Sequence, residues 1–310
     1  MINGYQKIKG IVPPMVTPLK SQDELDVEGL ERLVEHIIKG GVSGLFLLGT
    51  TGEGPGLSYA LRRELLERTC KLVNGRVPVL ACVTDTSFTE SVHLAQVAAD
   101  CGCHAAVLSA PYYFVPDSPE LIEYVAHITS QIPLPLYLYN MPGLTKVNFS
   151  MDVLKAAMDM PGIVGLKDSS CSMLYFHQVR ALIGERDDFG LLVGPEEMLA
   201  ETVLLGGDGG VNGGANLFPR LYVELYKAAE NKDMERISRL QKEVLAVAHS
   251  LYTVGSHPSS LIKGLKCALS LEGICSDVVA EPFQSFRSKE REQVASLLGD
   301  LKGKIDTALN

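Results

Sequence analysis

Lys167 ends the apolar run Ile163-Val164-Gly165-Leu166 and is followed at once by Asp168-Ser169-Ser170. A lysine at the end of a β-branched strand points into a mouth rather than along a wet helix face. There its ammonium is partly desolvated, and the neutral amine becomes available to attack a ketone and form a Schiff base. Taken alone, the plainer reading is a strand-end lysine snorkelling to water. Such a nucleophile needs company. Hydroxyls and exposed backbone N–H groups must hold a substrate carboxylate, and Thr50 and Thr51, between Gly49 and Gly52, supply both. A phenol hydrogen-bonded to a hydroxyl must move protons, and Tyr139 with Thr50 fits that need. Water must be limited, and Pro111 and Pro142 stiffen the rim.

The elements that would position these residues follow from alternation along the chain. Short β-rich runs recur at 10–12, 44–48, 77–83, 105–108, 134–139, 163–167, 190–194 and 209–211. The spacers carry helical patterns. Asp26 to Lys39 puts Leu30, Leu33, Val34, Ile37 and Ile38 on one face, and Ser58 to Val73 starts on a good N-cap residue. Further helices are expected over Glu90–Asp100, Pro119–Ser130, Met151–Met158, Met173–Ile183, Glu196–Leu205 and Phe218–Glu230. Strands apolar on both faces, each followed by a helix, predict a parallel sheet covered by helices. Eight such units predict an α/β fold, a closed (β/α)8 TIM barrel. An open doubly wound sheet is the alternative, but Pro13-Pro14-Met15-Val16-Thr17 stands where its G-x-G-x-x-G turn belongs. After about residue 231 the strands stop. Met234–Tyr252, Pro258–Leu271 and Ser288–Ala308 read as a C-terminal three-helix appendage. The expected division is a catalytic barrel over residues 1–231 and a helical extension over 232–310.

In a barrel of this kind chemistry gathers at the C-terminal ends of the strands. Those ends read Gly49-Thr50-Thr51-Gly52-Glu53-Gly54, Ala110-Pro111-Tyr112-Tyr113, Tyr139-Asn140-Met141-Pro142-Gly143, Lys167-Asp168-Ser169, Gly194-Pro195-Glu196-Glu197 and Gly209-Gly210-Val211-Asn212-Gly213-Gly214. Each has an ordinary alternative. The first is also a plain βα turn, or a phosphate cradle without the Gly-Lys-Ser/Thr ending of a P-loop. Tyr139 is also a core aromatic. Glu196-Glu197 also suit a helix N-terminus. Coincidence at six strand ends favours the chemical reading.

Composition bounds the partners. The 310 residues are 46% hydrophobic and 21% charged, with net charge −9, enough for a large core. Nothing basic is clustered, so neither nucleic acid nor an anionic membrane is an expected partner. No apolar run reaches the roughly 18 residues of a membrane span. The seven cysteines are odd in number and scattered, and no signal-like start is visible, so reduced thiols and a cytoplasmic setting are expected. Cys101-Gly102-Cys103-His104 has no second half at ligand spacing, and no metal is expected there.

With these residues in place, the chain resembles the superfamily of N-acetylneuraminate lyase and dihydrodipicolinate synthase, which are pyruvate-dependent class I aldolases. The motifs that carry the resemblance are Gly49-Thr50-Thr51-Gly52-Glu53, Pro111-Tyr112-Tyr113, Tyr139-Asn140-Met141-Pro142 and Gly165-Leu166-Lys167-Asp168. It runs from about residue 7 into the C-terminal helices. It implies that Lys167 is the Schiff-base lysine, Tyr139 the proton-shuttling tyrosine, and Thr50 and Thr51 the hydroxyls that hold the pyruvate carboxylate and relay protons. It implies that the backbone at Val211 faces pyruvate, and that Tyr113 reaches a neighbouring subunit's site in a homotetramer built as a dimer of dimers. Gly52 belongs to the same substrate-binding turn.

Departures bear on the substrate. The synthases follow Tyr-Asn-x-Pro with Ser-Arg, whose arginine grips a second carboxylate; here Gly143-Leu144 stand in those places. The sialic acid lyases carry an apolar residue there, and an acidic pair after the seventh strand that binds sugar hydroxyls. Glu196-Glu197 resembles that pair, while Gly213 stands where those lyases have a serine. The expected function is a lyase that releases pyruvate and an aldehyde from a sialic acid or 2-keto-3-deoxy sugar acid. The iminium serves as electron sink, so no metal or organic cofactor is expected. A synthase or dehydratase on the same Schiff base, a non-catalytic pyruvate-binding regulatory protein and a phosphate-binding barrel using Gly209-Gly210 are the alternatives.

Overall fold

The computed structural model describes residues 5–310. The first half runs β1 (Gly10–Ile11), β2 (Leu19–Ser21), β3 (Glu24–Leu25), α1 (Val27–Lys39), β4 (Leu45–Leu47), α2 (Tyr59–Val73), β5 (Val79–Cys82), α3 (Phe88–Asp100), β6 (Ala105–Ser109), α4 (Ser118–Gln131) and β7 (Leu136–Asn140). The second half runs α5 (Pro142–Thr145), α6 (Met151–Met158), β8 (Ile163–Asp168), α7 (Met173–Ile183), β9 (Gly190–Val193), α8 (Leu199–Leu204), β10 (Gly209–Gly210), α9 (Pro219–Glu230), α10 (Met234–Leu251), α11 (Ser260–Leu271) and α12 (Ser288–Leu309).

Eight strands form one parallel sheet in the order β1-β10-β9-β8-β7-β6-β5-β4. The ring closes where the chain beyond β1 meets β4. Ser43 N donates to Ile11 O at 2.8 Å, Phe46 N to Pro13 O at 3.0 Å, and Met15 N to Phe46 O at 2.9 Å. This is the expected TIM barrel. Its helices start where short polar side chains accept from the first turn: Asp26, Ser58, Ser87, Ser150 and Ser172 each cap one, and Asp117 forms a capping box with Glu120. Among the described residues no helix is long and apolar enough to cross a membrane.

Three elements differ from the sequence expectation. The helix expected over 196–205 breaks into a 3-10 turn, Glu196–Met198, and the short α8, because Met198 leaves the helical region at φ −100°, ψ 3°. The break leaves Glu196 buried and Glu197 exposed. The β2–β3 hairpin and α5 are too short for periodicity to reveal. The C-terminal helices are present with nearly the expected limits, and they share one continuous apolar core with the barrel.

The barrel interior is layered by register. Tyr137 pairs with Gly165, which pairs with Gly190; one layer higher, Tyr139 pairs with Lys167, which pairs with Leu192. Side chains alternate along a strand, so the members of each layer point to the same side. In the lower layer the Tyr137 ring fills the space that the two glycines leave. A Cβ at Gly190 would lie 2.7 Å from the Tyr137 hydroxyl, and one at Gly165 would lie 2.3 Å from its ring. That hydroxyl also accepts from Tyr5 at 2.6 Å.

Gly190→Ala should therefore destabilise the fold by about 1–3 kcal/mol through overpacking. In a Tyr137→Phe background the same change should cost clearly less, because the clashing oxygen is gone. Urea unfolding of the four proteins of that cycle checks the coupling; fully additive costs would contradict this packing.

Candidate active site

The upper layer holds the candidate site residues. Tyr139 and Lys167 sit on adjacent strands in direct register, and both are buried. The Lys167 Nζ lies 3.6 Å from the centroid of the Tyr139 ring and 5.9 Å from that of Phe46. It donates to Ser169 Oγ at 2.9 Å. The Tyr139 hydroxyl meets Thr50 Oγ1 at 3.2 Å. Gly194 leaves room for this contact: a Cβ there would lie 2.1 Å from Ser169 Oγ and force that hydroxyl to move. One residue beyond the upper layer, Asn140 and Asp168 alternate to the outer side of the strands and lock their ends. Asn140 Nδ2 donates to Asp168 Oδ1 at 2.9 Å, and Asp168 also accepts from the N–H and the hydroxyl of Ser170. Burial raises the Asp168 carboxyl above its ordinary range despite those donors.

Thr50 and Thr51 are carried on a tight turn. Leu48 and Glu53 both take left-handed backbone, at φ 61° and 57°. Glu53 N donates to Thr50 O at 3.1 Å, and Gly54 N to Gly49 O at 3.2 Å. Gly52 is buried beneath the turn, where its carbonyl accepts from Thr17 Oγ1 at 2.6 Å and a Cβ would meet Met15 O at 2.8 Å. Gly52 supports the turn and does not line the cavity.

The cavity over Lys167 has a volume of about 280 Å³. Thr50, Thr51, Tyr139, Lys167, Glu196, Glu197, Val211 and Gly213 all line it. Val211 gives its N–H to Val193 O at 2.7 Å. Sequence reasoning did not single out Phe46, Ser169, Tyr252 and Leu261, which line it as well. Ser169 could have been found from its place two residues beyond Lys167; Tyr252 and Leu261 carry no such signal. Besides Gly52, two expected residues lie outside the cavity of the single chain. Leu144 is exposed on α5, and Tyr113 is 77% exposed with its ring edge-on to Phe114.

Glu196 is the most heavily engaged polar group of the wall. Its Oε1 accepts from the hydroxyls of Tyr222 at 2.7 Å and Tyr252 at 2.9 Å, and its Oε2 accepts from Gly214 N at 3.0 Å. Burial outweighs these donors and pushes the carboxyl up to about 7. Gln241 of α10 donates to the backbone carbonyls of Glu196 and Glu197, at 3.4 and 3.2 Å.

A carboxyl raised from 4.5 to about 7 on folding binds more protons in the folded state. Its contribution to stability is full below the unfolded value and is lost as pH rises through 7. Glu196→Gln stays neutral, and with its amide oxygen on Gly214 N–H its nitrogen can donate to the two phenols. The variant should flatten the stability–pH curve between about pH 4.5 and 8, removing a slope worth roughly 2–4 kcal/mol. Chemical denaturation across that range checks it; an unchanged slope would place the charge elsewhere.

Comparison with known proteins gives one pattern. The model of the dihydrodipicolinate synthetase family matches residues 7–301. A probable 2-dehydro-3-deoxy-D-pentonate aldolase, YjhH, of Escherichia coli K12 is 33% identical over 92% of this chain and 95% of its own. A 4-hydroxy-tetrahydrodipicolinate synthase of Methanopyrus kandleri is 32% identical over 93% and 94%. Among solved structures, a dihydrodipicolinate synthase of Bacteroides thetaiotaomicron superposes with a TM-score of 0.92 at 55% identity, covering 94% of this chain and 98% of its own. The prophage protein YagE of E. coli K12, solved with pyruvate, superposes at 0.89 with 30% identity, covering 95% and 98%. With a barrel closed in the same way from end to end and a family model spanning nearly its whole length, this chain belongs to the dihydrodipicolinate synthetase family.

Proposed function

We propose that this chain is a Schiff-base-forming pyruvate lyase that cleaves a 2-oxo sugar acid to pyruvate and an aldehyde. The reading rests on the Lys167 amine lying beside a phenol–hydroxyl pair, Tyr139 with Thr50 at 3.2 Å, in one cavity at the strand ends. In this reading Thr50 and Thr51 hold the substrate carboxylate. The neutral amine of Lys167 attacks the ketone carbon. Tyr139, relayed by Thr50, delivers a proton to the carbinolamine oxygen, which leaves as water. The resulting iminium draws in the electrons of the C3–C4 bond as the C4 hydroxyl gives its proton to the Tyr139 phenolate and the aldehyde departs. The enamine is protonated at C3, and water then releases pyruvate and restores the amine. The iminium is the electron sink, so the reading calls for no metal or organic cofactor.

A polyhydroxylated aldehyde side fits the far wall. Glu197 stands exposed at the rim, and Glu196 and Tyr252 form the wall behind it. Gly213 widens the space: a Cβ there would meet the Tyr252 hydroxyl and Leu265 only at 3.5 Å. The pentonate aldolase among the relatives supports a sugar acid. A second reading, the synthase reaction, is favoured by the name of the 55% identical structure. Against it, Leu144 offers no cation where the synthases carry arginine. Tyr113 and its exposed neighbours Phe114 and Val115 suit the reading in which Tyr113 enters a neighbouring site of a homotetramer.

Borohydride with labelled pyruvate should label the parent protein at residue 167 and leave Lys167→Ala unlabelled; equal labelling of the two removes the mechanism. Tyr139→Phe should stay folded and lose about 10²- to 10⁴-fold in turnover. A panel containing sialic acid, 2-keto-3-deoxygluconate, 2-dehydro-3-deoxy-D-pentonate and 4-hydroxy-2-oxoglutarate, scored for pyruvate release, identifies the aldehyde side. Consumption of a sugar acid without pyruvate would mark a dehydratase instead.

A further inference from the structure

Thr50 and Thr51 ride on a turn with no regular element beneath them, and their height over Lys167 has to be set from behind. Behind them stands Glu53. It is a non-glycine residue in left-handed backbone, at φ 57°, a conformation that costs energy and persists where the surrounding contacts over-determine it. Its carboxylate is 2% exposed and fully partnered. One oxygen is paired with the Lys266 ammonium of α11, and the other accepts from Ala280 N at 2.6 Å. Lys266 is wholly buried and also donates to Val278 O at 2.6 Å. The segment that carries Val278 and Ala280 is itself stitched to the barrel. Val278 bridges Leu19, and Ser276 N donates to Asp26 Oδ2 at 3.0 Å.

We propose that the buried Glu53–Lys266 ion pair is a positioning device through which the C-terminal helices hold the Thr50-Thr51 turn in place for the substrate carboxylate. The inference rests on the pyruvate-lyase reading of the cavity. Stability alone does not account for the pair, since a buried ion pair is commonly no better than apolar residues of the same volume. Two fixed partners on one carboxylate instead fix the position and direction of the turn. Charge argues the same way. An unpaired Glu53 directly behind Thr50 and Thr51 would repel the anion they hold, and Lys266 cancels that field. Burial pulls the Lys266 ammonium down, while the Glu53 charge draws it back up. Glu53 and Lys266 act through the turn and are positioning residues.

The test uses the full chain and two substitutions. Glu53→Asp keeps both charges and tolerates left-handed backbone, but it is one methylene shorter, so it can keep its partners only by drawing the turn away from Lys167. The double variant Glu53→Gln/Lys266→Met removes both charges and orphans neither. Borohydride trapping is measured against pyruvate concentration on folded protein, with kcat and KM for cleavage. Both variants should raise half-saturating pyruvate by about 10-fold or more while trapping at saturation stays on Lys167, and kcat for cleavage should fall as well, because Thr50 also relays the Tyr139 proton. If the parent is trapped and a folded Glu53→Asp matches its half-saturation, the positioning role falls and the lyase reading stands. If the parent is not trapped at all, the lyase reading fails and this role fails with it. Should the double variant not fold, Glu53→Asp alone decides the matter.

Discussion

The register of β7 against β8 is the constraint on which the rest of the site depends. Tyr139 lies beside Lys167 and Asn140 beside Asp168. Because side chains alternate, a slip of one residue on β8 would turn the lysine into the helix layer and aim a carboxylate at the cavity. Two features oppose that slip. On the outer side, the Asn140–Asp168 hydrogen bond ties the strand ends, and Asn140 is held in turn by Asn148 and by the N–H of Phe149. On the inner side, the Tyr137 ring occupies the room left by Gly165 and Gly190. The packing at the base and the polar lock at the top specify the same register.

A chain of net charge −9 that is to hold an anion has to concentrate its donors locally. The cavity does so with one amine and a small set of hydroxyls rather than with a patch of cations. The nearby carboxylates are kept from opposing it. Glu53 is paired with Lys266, Asp168 points away from the cavity, and Glu196 is surrounded by two phenols and a backbone N–H. Only Glu197 faces the mouth from an exposed position.

Much of this was legible in the sequence, for identifiable reasons. The eight strands are short runs buried on both faces, and the capping serines and aspartates mark where the helices between them begin. Lys167 and Tyr139 stood out because a cation and a phenol at the C-terminal ends of apolar barrel strands are not needed to fill a core, and Thr50 and Thr51 because they sit on the turn after a strand, where few structural duties explain them away. What was not legible depends on distance along the chain. Glu53 and Lys266 are 213 residues apart, and a lone glutamate and a lone lysine carry no local sign that they will meet. Likewise, nothing around Glu196 reveals that its partners will be Tyr222 and Tyr252 rather than a ligand. The break at Met198 likewise has no counterpart in the periodicity of 196–205.

The site thus has two halves with different supports. The half that holds the amine and the phenol is internal to the barrel, fixed by strand register and by side chains from those strands. The other half is held from outside. Gln241 grips the backbone of the acidic pair, Tyr252 binds Glu196, Leu261 lines the cavity, and Lys266 holds Glu53. All four come from the helical part beyond residue 231. Substitutions there can reshape what the cavity accepts while the strands keep Lys167 and Tyr139 in register. A fold divided in this way can retain one chemistry while its substrate changes, and a family containing both synthases and sugar-acid aldolases is consistent with that division.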